Sequence, residues 1–272
     1  MVPVKAIDGR RMSHNFSAHA REYDRYARVQ KRVVADLCRR MSVLGPLSGL
    51  ALDIGAGTGC LAENLCEQLP QHAVTVMDIA HGMTLQASQR LAGVRACDGD
   101  AGCLPFRKET FQTVVSSSVY QWVACLPEAF SEVHRVLHPG GLFAAALFGE
   151  QTLYELRRAH QRAVAACQQQ SSSHVQSFPS RDEVFQALSN AGFDCLEVIA
   201  YPEVDYHETV AGLLRELKQI GASNASGSRP RGLASRRVMQ SMVRFYEEAY
   251  RKEQGVPATY EVIAIMARRK VS

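Results

Sequence analysis

The chain has 272 residues, with 31 lysines and arginines against 27 acidic residues, a formal net charge of +4, and 46% hydrophobic residues. This composition is typical of a soluble globular protein and excludes fibrous, collagen-like and wholly disordered chains. The longest apolar run, Leu142 to Phe148, is far shorter than the roughly 20 residues that a membrane helix needs. Since the first residues also lack the apolar core of a signal peptide, we expect a cytoplasmic protein that does not act at a membrane.

The first half of the chain alternates strands with helices. Residues 17–42 predict an amphipathic helix, with Ser17 as its N-cap and Val33 and Leu37 facing inward. Short apolar strands separated by helical segments then predict a parallel sheet with right-handed crossovers, covered on both faces. These elements are a strand at 50–54, a helix at 60–69, a strand at 73–78, a helix at 82–92, strands at 94–97 and 111–117, a helix at 127–137 and a strand at 142–148.

The pattern changes after Phe148. A polar tract at 168–173 predicts a loop or lid element. The predicted elements of this second part are helices at about 152–169, 180–190, 207–220 and 233–252, and strands at 193–199 and 259–267.

A glycine-rich turn lies between the first strand and the next helix. It reads Leu52-Asp53-Ile54-Gly55-Ala56-Gly57-Thr58-Gly59, and glycines there permit a tight turn while the helix N-terminus offers free N–H groups to a ligand. A dinucleotide-binding turn would carry its third glycine at position 60, which is Cys60. The spacing instead resembles motif I of S-adenosylmethionine (SAM) dependent methyltransferases.

Three later segments extend this resemblance. Asp78 ends the second strand, Gly99-Asp100-Ala101 follows the third, and Leu137-His138-Pro139-Gly140-Gly141 precedes the strand at 142–148. NAD is the alternative ligand, because Asp78 would serve it equally well, but the two late strands fit the closing antiparallel hairpin of a methyltransferase. The resemblance implies that SAM is bound by Gln30, Asp53, Gly55, Ala56, Gly57, Gly59, Asp78, Ile79, Met83, Asp100, Ala101 and Ser117.

The same resemblance implies a fold and a domain organisation. We expect a Rossmann-like class I methyltransferase: a mostly parallel seven-stranded sheet with helices on both faces and an antiparallel final strand. Within one domain, residues 1–49 would form an N-terminal lid helix and 50–148 the SAM-binding core. Residues 149–272 would complete the core and insert a helical acceptor cap at about 205–255.

The sequence favours a carboxylate as the methyl acceptor. The sequence shows no metal-binding cluster and no obvious pair of basic catalytic groups, so we predict no metal. The eight cysteines contain no C-x-x-C pair and are predicted to be reduced thiols. A carboxylate acceptor, with a reference pKa of about 4, is already ionised at neutral pH and needs only positioning and exclusion of water.

The flanking segments resemble one family, the malonyl-[acyl-carrier protein] O-methyltransferases. The residues at 16–30 are similar to its N-terminal signature, Ser118 to Trp122 to its "QW" segment, 148–156 to its "FG..T..EL" segment, and Leu217 to Asn224 to its "LK.IGA.N" segment, followed by Thr259-Tyr260. Ser118 stands where many members have Asn, and Ala101-Gly102 replaces Ile-Glu.

This resemblance implies methylation of the free carboxylate of a malonyl thioester, on acyl-carrier protein or on CoA, for biotin synthesis. Tyr23, Gln121, Trp122 and Lys218 are the candidate catalytic residues, with Lys218 or an arginine of 229–237 pairing with the malonyl carboxylate. The product of SAM would be S-adenosylhomocysteine.

Two basic clusters are either solvated helix faces or docking surfaces for an acidic partner. One comprises Lys31, Arg32, Arg39 and Arg40, and the other Arg229, Arg231, Arg236, Arg237 and Arg244. We expect the partner to be acyl-carrier protein and not nucleic acid, because the net charge is modest.

Two further interpretations stay open. One is a SAM-dependent methyltransferase that acts on another small acid or on a quinone precursor. The other is a non-catalytic SAM-binding assembly factor, which a degraded glycine-rich turn would favour; this turn is intact.

Overall fold

The computed structural model describes residues 9–167, 178–221 and 233–271. A seven-stranded sheet runs through it in the order β3-β2-β1-β4-β5-β7-β6. The strands are β1 (Ala51–Ile54), β2 (Val74–Asp78), β3 (Arg95–Asp98), β4 (Phe111–Ser117), β5 (Leu137–Phe148), β6 (Phe193–His207) and β7 (Val256–Arg269). β1 to β5 pair in parallel, and β7 is antiparallel to both β5 and β6, as predicted for the final strand.

Ten helices surround the sheet in the described part of the chain. They are α1 (Gly9–His19), α2 (Tyr23–Tyr26), α3 (Arg28–Ser42), α4 (Cys60–Gln68), α5 (His81–Arg90), α6 (Leu126–Val136), α7 (Tyr154–Ala166), α8 (Arg181–Asn190), α9 (Val210–Gln219) and α10 (Leu233–Tyr250). None of the helices described is both long and apolar enough to cross a membrane.

The two faces of the sheet are buried against different helices. On β5, Ala144 and Ala146 belong to a core cluster with residues of α3, α4, α5, α7, α9 and α10, whereas Phe143, Ala145 and Leu147 belong to one with α6 and α8. This alternation follows from the two-residue period of a strand. It explains why every residue of β5 from Leu142 to Phe148 is apolar: both faces of this part of the strand are covered.

The prediction of one helix over 17–42 is wrong. The chain forms three helices there, with breaks at residues 20–22 and at Ala27. Ser17 does not cap a helix; it lies inside α1, and its Oγ accepts a hydrogen bond from the N–H of Gly82 on α5, 3.1 Å away. Docking of α1 on α5 therefore overrides the continuous amphipathic pattern.

The strand predicted at 193–199 is also too short, because β6 continues to His207. It is an edge strand, and polar residues such as Glu203 and Asp205 interrupt its apolar pattern. Pro202 lies within it, which an edge strand tolerates. The polar tract at 168–173 falls outside the described residues. All eight cysteines are free thiols.

Candidate active site

Two adjoining cavities open where the parallel strands end. The larger has a volume of about 320 Å³, and its walls include the last residues of β1, β2 and β4, namely Ile54, Asp78 and Ser117, together with Met12 and Phe16 of α1. The smaller, of about 50 Å³, lies between the glycine-rich turn and helices α2 and α3. Ligand sites of open α/β sheets lie at this edge.

Most of the predicted cofactor residues line these cavities. Only Gly59 lines neither; it is the N-cap of α4, in the left-handed conformation. The larger cavity is lined by Gly55, Gly57, Asp78, Ile79, Met83, Asp100, Ala101 and Ser117, and the smaller by Gln30, Asp53, Ala56 and again Gly55, Gly57 and Ser117.

The glycine-rich turn depends on the absence of side chains at two positions. Gly55 has a φ of +66°, and a Cβ there would lie 2.1 Å from Cγ2 of Val119. Gly57 has a φ of +56°, and no atom lies within 4 Å of the position its Cβ would take. Gly57 thus presents bare backbone to both cavities, which lets a ligand approach closely.

Asp78 is held at the floor of the larger cavity by backbone donors. Its carboxylate accepts hydrogen bonds from the N–H of Gly57 at 3.0 Å and of Ala80 at 2.8 Å. Burial raises its pKa to about 6 in spite of these donors. A carboxylate fixed in this way can also accept hydrogen bonds from ligand hydroxyls.

Asp53 is the most unusual group in the site. It is 1% exposed, and neither carboxylate oxygen has a hydrogen-bond partner of normal geometry among the described residues. Burial and the nearby Asp78 raise its pKa, and the N–H of Ala62 only partly offsets them. A buried carboxylate without a partner is costly, so this position fits a cationic ligand group.

Lys31 also lines the smaller cavity, as Asp53 does, and its Nζ donates to the carbonyl oxygen of Asp24 at 2.7 Å. Sequence reasoning placed Lys31 in a basic surface cluster and missed it as a site residue. The overlooked signal was its position next to Gln30, which had been predicted to bind the cofactor.

Helices α1 and α2 form one wall of the site and are anchored to its base. Asp24 accepts hydrogen bonds from Oγ1 of Thr58 at 2.6 Å and from Arg90 at 3.0 Å. On α1, Oγ of Ser13 donates to the carbonyl oxygen of Ile79 at 2.8 Å. Tyr23, the first residue of α2, lines both cavities, and burial with the nearby Asp78 and Asp24 raises its pKa.

The turn after β4 forms the opposite wall. Ser118 has a φ of +61°, a left-handed conformation that Asn adopts more readily than Ser. Gln121 is buried and does not line either cavity; its Nε2 donates to the carbonyl oxygen of Ser118 at 2.8 Å. Trp122 does line the larger cavity, and its ring meets that of Phe16 edge-on, with centroids 5.8 Å apart.

Other predicted residues lie elsewhere. Lys218 is exposed on α9 and lines neither cavity. Arg236 and Arg237 are exposed near the start of α10. Arg229, Arg231 and the end of the Leu217 to Asn224 segment lie outside the described residues.

The arginines of the first basic cluster are paired with carboxylates. Arg40 donates to Asp36 at 2.7 Å and to Glu197 on β6 at 2.9 Å, Arg32 pairs with Glu203 and Arg39 with Asp36. The acidic residues of β6, far away in sequence, thus neutralise much of this cluster.

One group of potential metal ligands occurs in the described part of the chain: Asp205, His207 and Glu216. The Arg28 guanidinium lies 2.9 Å from both Asp205 and Glu216. A cation already bridges these two carboxylates without a metal, and the absence of a metal stays a prediction.

Comparisons with known proteins add family information. A methyltransferase-domain model matches residues 52–145. A malonyl-[acyl-carrier protein] O-methyltransferase from Geobacter sulfurreducens is 42% identical over 266 residues, which cover 97% of this chain and 100% of that protein. The biotin biosynthesis bifunctional protein BioHC of Teredinibacter turnerae is 35% identical; the match covers 96% of this chain but 47% of that protein.

A solved structure agrees on the fold. A candidate methyltransferase from Bacillus halodurans C-125 superposes with a TM-score of 0.59 at 17% identity, covering 87% of this chain and 99% of that one. Together with the strand order and the antiparallel final strand, this similarity confirms the predicted class I methyltransferase fold.

Proposed function

Because this chain belongs to the malonyl-[acyl-carrier protein] O-methyltransferase family, we propose that it methylates the free carboxylate of a malonyl thioester carried by acyl-carrier protein. SAM is the methyl donor, and the products are the malonyl methyl ester and S-adenosylhomocysteine. The relatives place this reaction in biotin synthesis. The observation that carries the assignment of the donor is the pair of cavities around Asp53 and Asp78.

The residues of both cavities fit SAM. Its amino-acid end is a zwitterion, and the smaller cavity offers Asp53 for the ammonium group and Lys31 for the carboxylate. Asp78 would accept hydrogen bonds from the ribose hydroxyls, as the backbone around Gly57 leaves room for the ligand. Bound SAM supplies an electrophilic methyl group, and the protein has to bring the acceptor in line with it.

The acceptor needs no general base, since a malonate carboxylate is ionised at neutral pH. Tyr23 suits this chemistry as a donor: its raised pKa keeps the hydroxyl protonated, so it can hydrogen-bond an anionic acceptor. Met12, Phe16 and Trp122 form an apolar wall that would exclude water from the reacting groups. Gln121 acts indirectly, by fixing the turn that carries Trp122.

The test supplies the purified protein with methyl-labelled SAM and four acceptors: malonyl-acyl-carrier protein, malonyl-CoA, free malonate and succinyl-acyl-carrier protein. We expect a base-labile methyl ester on the malonyl carrier protein, and little label on free malonate or the succinyl carrier. Absence of the ester on both malonyl thioesters would overturn the proposed function. Preference for malonyl-CoA over the carrier protein would overturn only the carrier assignment.

A further inference from the structure

The antiparallel helices α7 and α10 carry most of the net positive charge of the protein. Their sequences contain six arginines against three glutamates, whereas the whole chain has a net charge of only +4. One of the glutamates, Glu155, is fully buried and bonded to Thr259. The exposed surface of the pair is therefore strongly cationic.

Three of these arginines lie against aromatic rings. The guanidinium carbon of Arg162 is 4.2 Å from the ring centroid of Phe245, and that of Arg244 is 5.0 Å from the same ring. Arg158 lies 5.4 Å from the ring centroid of Tyr154. Cation–π contact of this kind orients the planar group while its N–H donors remain free for carboxylates or phosphates.

These arginines have little acidic compensation. Within the described ranges no carboxylate lies within 4 Å of Arg158 or Arg162, and Arg244 faces only Glu248, at 3.7 Å with both side chains exposed. The α3 arginines differ, because Arg32 and Arg40 are paired with β6. Unlike the α3 surface, the surface of α7 and α10 therefore keeps positive charge that is largely unpaired with carboxylates and that an acidic partner can contact.

The surface also starts at the edge of the sheet where the cavities open, the edge at which the parallel strands end. α7 begins at Tyr154, six residues after Phe148, the last residue of β5, and Leu153 and Glu155 are hydrogen-bonded to Thr259 of β7. Arg158 and Arg162 follow at one and two helical turns from Tyr154, about 6 and 12 Å along the axis. A protein bound there could extend a flexible thioester arm into the larger cavity.

We propose that Arg158, Arg162 and Arg244, the α7–α10 arginine surface, form the docking site for the acidic carrier protein. This inference rests on the proposed function and adds to it the surface that selects a carrier-bound substrate. Sequence reasoning named only Arg244 among these three. Long-range attraction to an acidic partner speeds encounter and fixes orientation, and is weakened by salt.

The test compares two substrates that share the reacting thioester: malonyl-acyl-carrier protein, and malonyl-pantetheine, which has the arm without phosphate or protein. In the double variant Arg158→Glu with Arg162→Glu, we expect KM for the carrier substrate to rise about 5- to 30-fold, and its dependence on salt to weaken. KM for malonyl-pantetheine and for SAM should stay unchanged. The milder variant Arg158→Gln with Arg162→Gln should show a smaller effect in the same direction, and melting temperatures verify folding.

The matched control reverses the charge of two exposed residues before β4, at the opposite end of the sheet, by Arg107→Glu with Lys108→Glu. This control should leave every KM unchanged. Methyl transfer to both substrates with an unchanged carrier KM in the α7 variants would overturn the docking site while leaving the proposed function intact. Equal rises in KM for both substrates would also overturn it. So would variants that lose binding to RNA or to anionic vesicles, measured separately, while KM for the carrier substrate stays unchanged. Absence of transfer to any malonyl thioester would instead be a failure of the proposed function.

Discussion

Asp53 is a residue whose environment suits a ligand better than it suits the free protein. Its carboxylate is buried with no hydrogen-bond partner of normal geometry in the part of the chain that the structure describes, and a second buried carboxylate, Asp78, is near it. Ionising it costs free energy in the ligand-free fold, and a bound ammonium group would offset that cost. Binding sites often trade stability for function in this way.

Replacing Asp53 by Asn should therefore have two opposite effects. We expect the melting temperature of the ligand-free protein to rise, by about 2–4 °C for each kcal/mol recovered. Affinity for S-adenosylhomocysteine should fall about 10- to 100-fold, because a hydrogen-bonded ion pair is lost. Calorimetry measures the affinity and thermal melts the stability, with Asp182→Asn at an exposed position as the control. A destabilised Asp53→Asn variant with unchanged affinity would contradict a role of Asp53 in binding the ammonium group.

The raised pKa of Asp78, about 6, predicts a pH dependence. Burial favours the protonated carboxyl of Asp78 in the ligand-free fold. The stability that this group contributes is therefore fully present below about pH 4, near its pKa in the unfolded chain. It is lost as the pH rises through 6. Ligand hydroxyls favour the ionised form, so binding should release protons near pH 6, and affinity should fall by up to about tenfold per pH unit below it.

Titrating the protein with S-adenosylhomocysteine at pH 6, in two buffers of different ionisation enthalpy, measures this release. We expect the observed heat to differ between the buffers. In Asp78→Asn the difference should shrink to the part that Asp53 contributes. Identical heats in both buffers for the unmodified protein would show that neither carboxylate changes its protonation on binding.

Ser118 is held in a strained backbone conformation. Its φ of +61° is one that Asn tolerates and Ser rarely adopts. Ser118→Asn should stabilise the protein by about 0.5–1 kcal/mol, measured by urea denaturation. Ser131→Asn, at an exposed helical position of ordinary φ outside the site, is the control and should give no such gain.

At the scale of elements, we propose that α1 and α2 form the lid expected from the sequence, coupled to the base of the site through Asp24. It joins α2 to Thr58 of the glycine-rich turn and to Arg90 at the end of α5. Phe16 of α1 meanwhile touches Trp122, which is the only tryptophan in the chain. The emission of Trp122 therefore reports directly on how the lid packs against the site.

Asp24→Asn should loosen this lid. It keeps the size of the side chain but weakens the contact with Arg90, so we expect KM for SAM to rise several-fold, given about 1.5–3 kcal/mol for hydrogen bonds to charged groups. The change in Trp122 emission on ligand binding should shift to higher ligand concentrations. If binding curves of the variant and of the Asp182→Asn control coincide with that of the unmodified protein, Asp24 does not hold the lid.

Elements with strong local signals were predictable. The glycine-rich turn, Asp78 and the apolar strands are read from adjacent residues, and most of the cofactor residues predicted from them line the two cavities. The breaks between α1, α2 and α3 were not predictable, because contacts such as Ser17 with Gly82 involve residues distant in sequence. The position of Lys31 at the smaller cavity was not predictable for the same reason: most other residues that line it, such as Asp53, are distant in sequence.

At the scale of the whole molecule, the two basic clusters of the sequence differ in how far carboxylates neutralise their charge. Arg40 donates to Asp36 and Glu197 and lies over the ring of Tyr201, so it binds α3 to the edge strand β6. Such pairing also covers an exposed strand edge with charge, which opposes aggregation. Composition could not separate this structural cluster from a docking surface, because the acids of β6 come more than 150 residues later.

Arg40→Met should therefore affect the fold and not the carrier. We expect a loss of about 1–3 kcal/mol of unfolding free energy, since charged hydrogen bonds are lost and Glu197 is left without its arginine. KM for malonyl-acyl-carrier protein should stay within error of the unmodified value. A large rise in that KM without loss of stability would place Arg40 in the docking surface instead.

The register of the last two strands has an evolutionary consequence. His207 at the end of β6 pairs with Val256 at the start of β7. The chain therefore leaves the sheet after His207 and returns to it directly beside that residue, with α9 and α10 in between. Lengthening, shortening or exchanging that excursion would leave every rung of the β6–β7 ladder unchanged. Buried residues such as Leu213 and Tyr246 make the present insertion part of the core, but the topology leaves it free to diverge. The excursion can thus be exchanged in evolution, while the sheet whose strand ends form the two cavities is inherited intact.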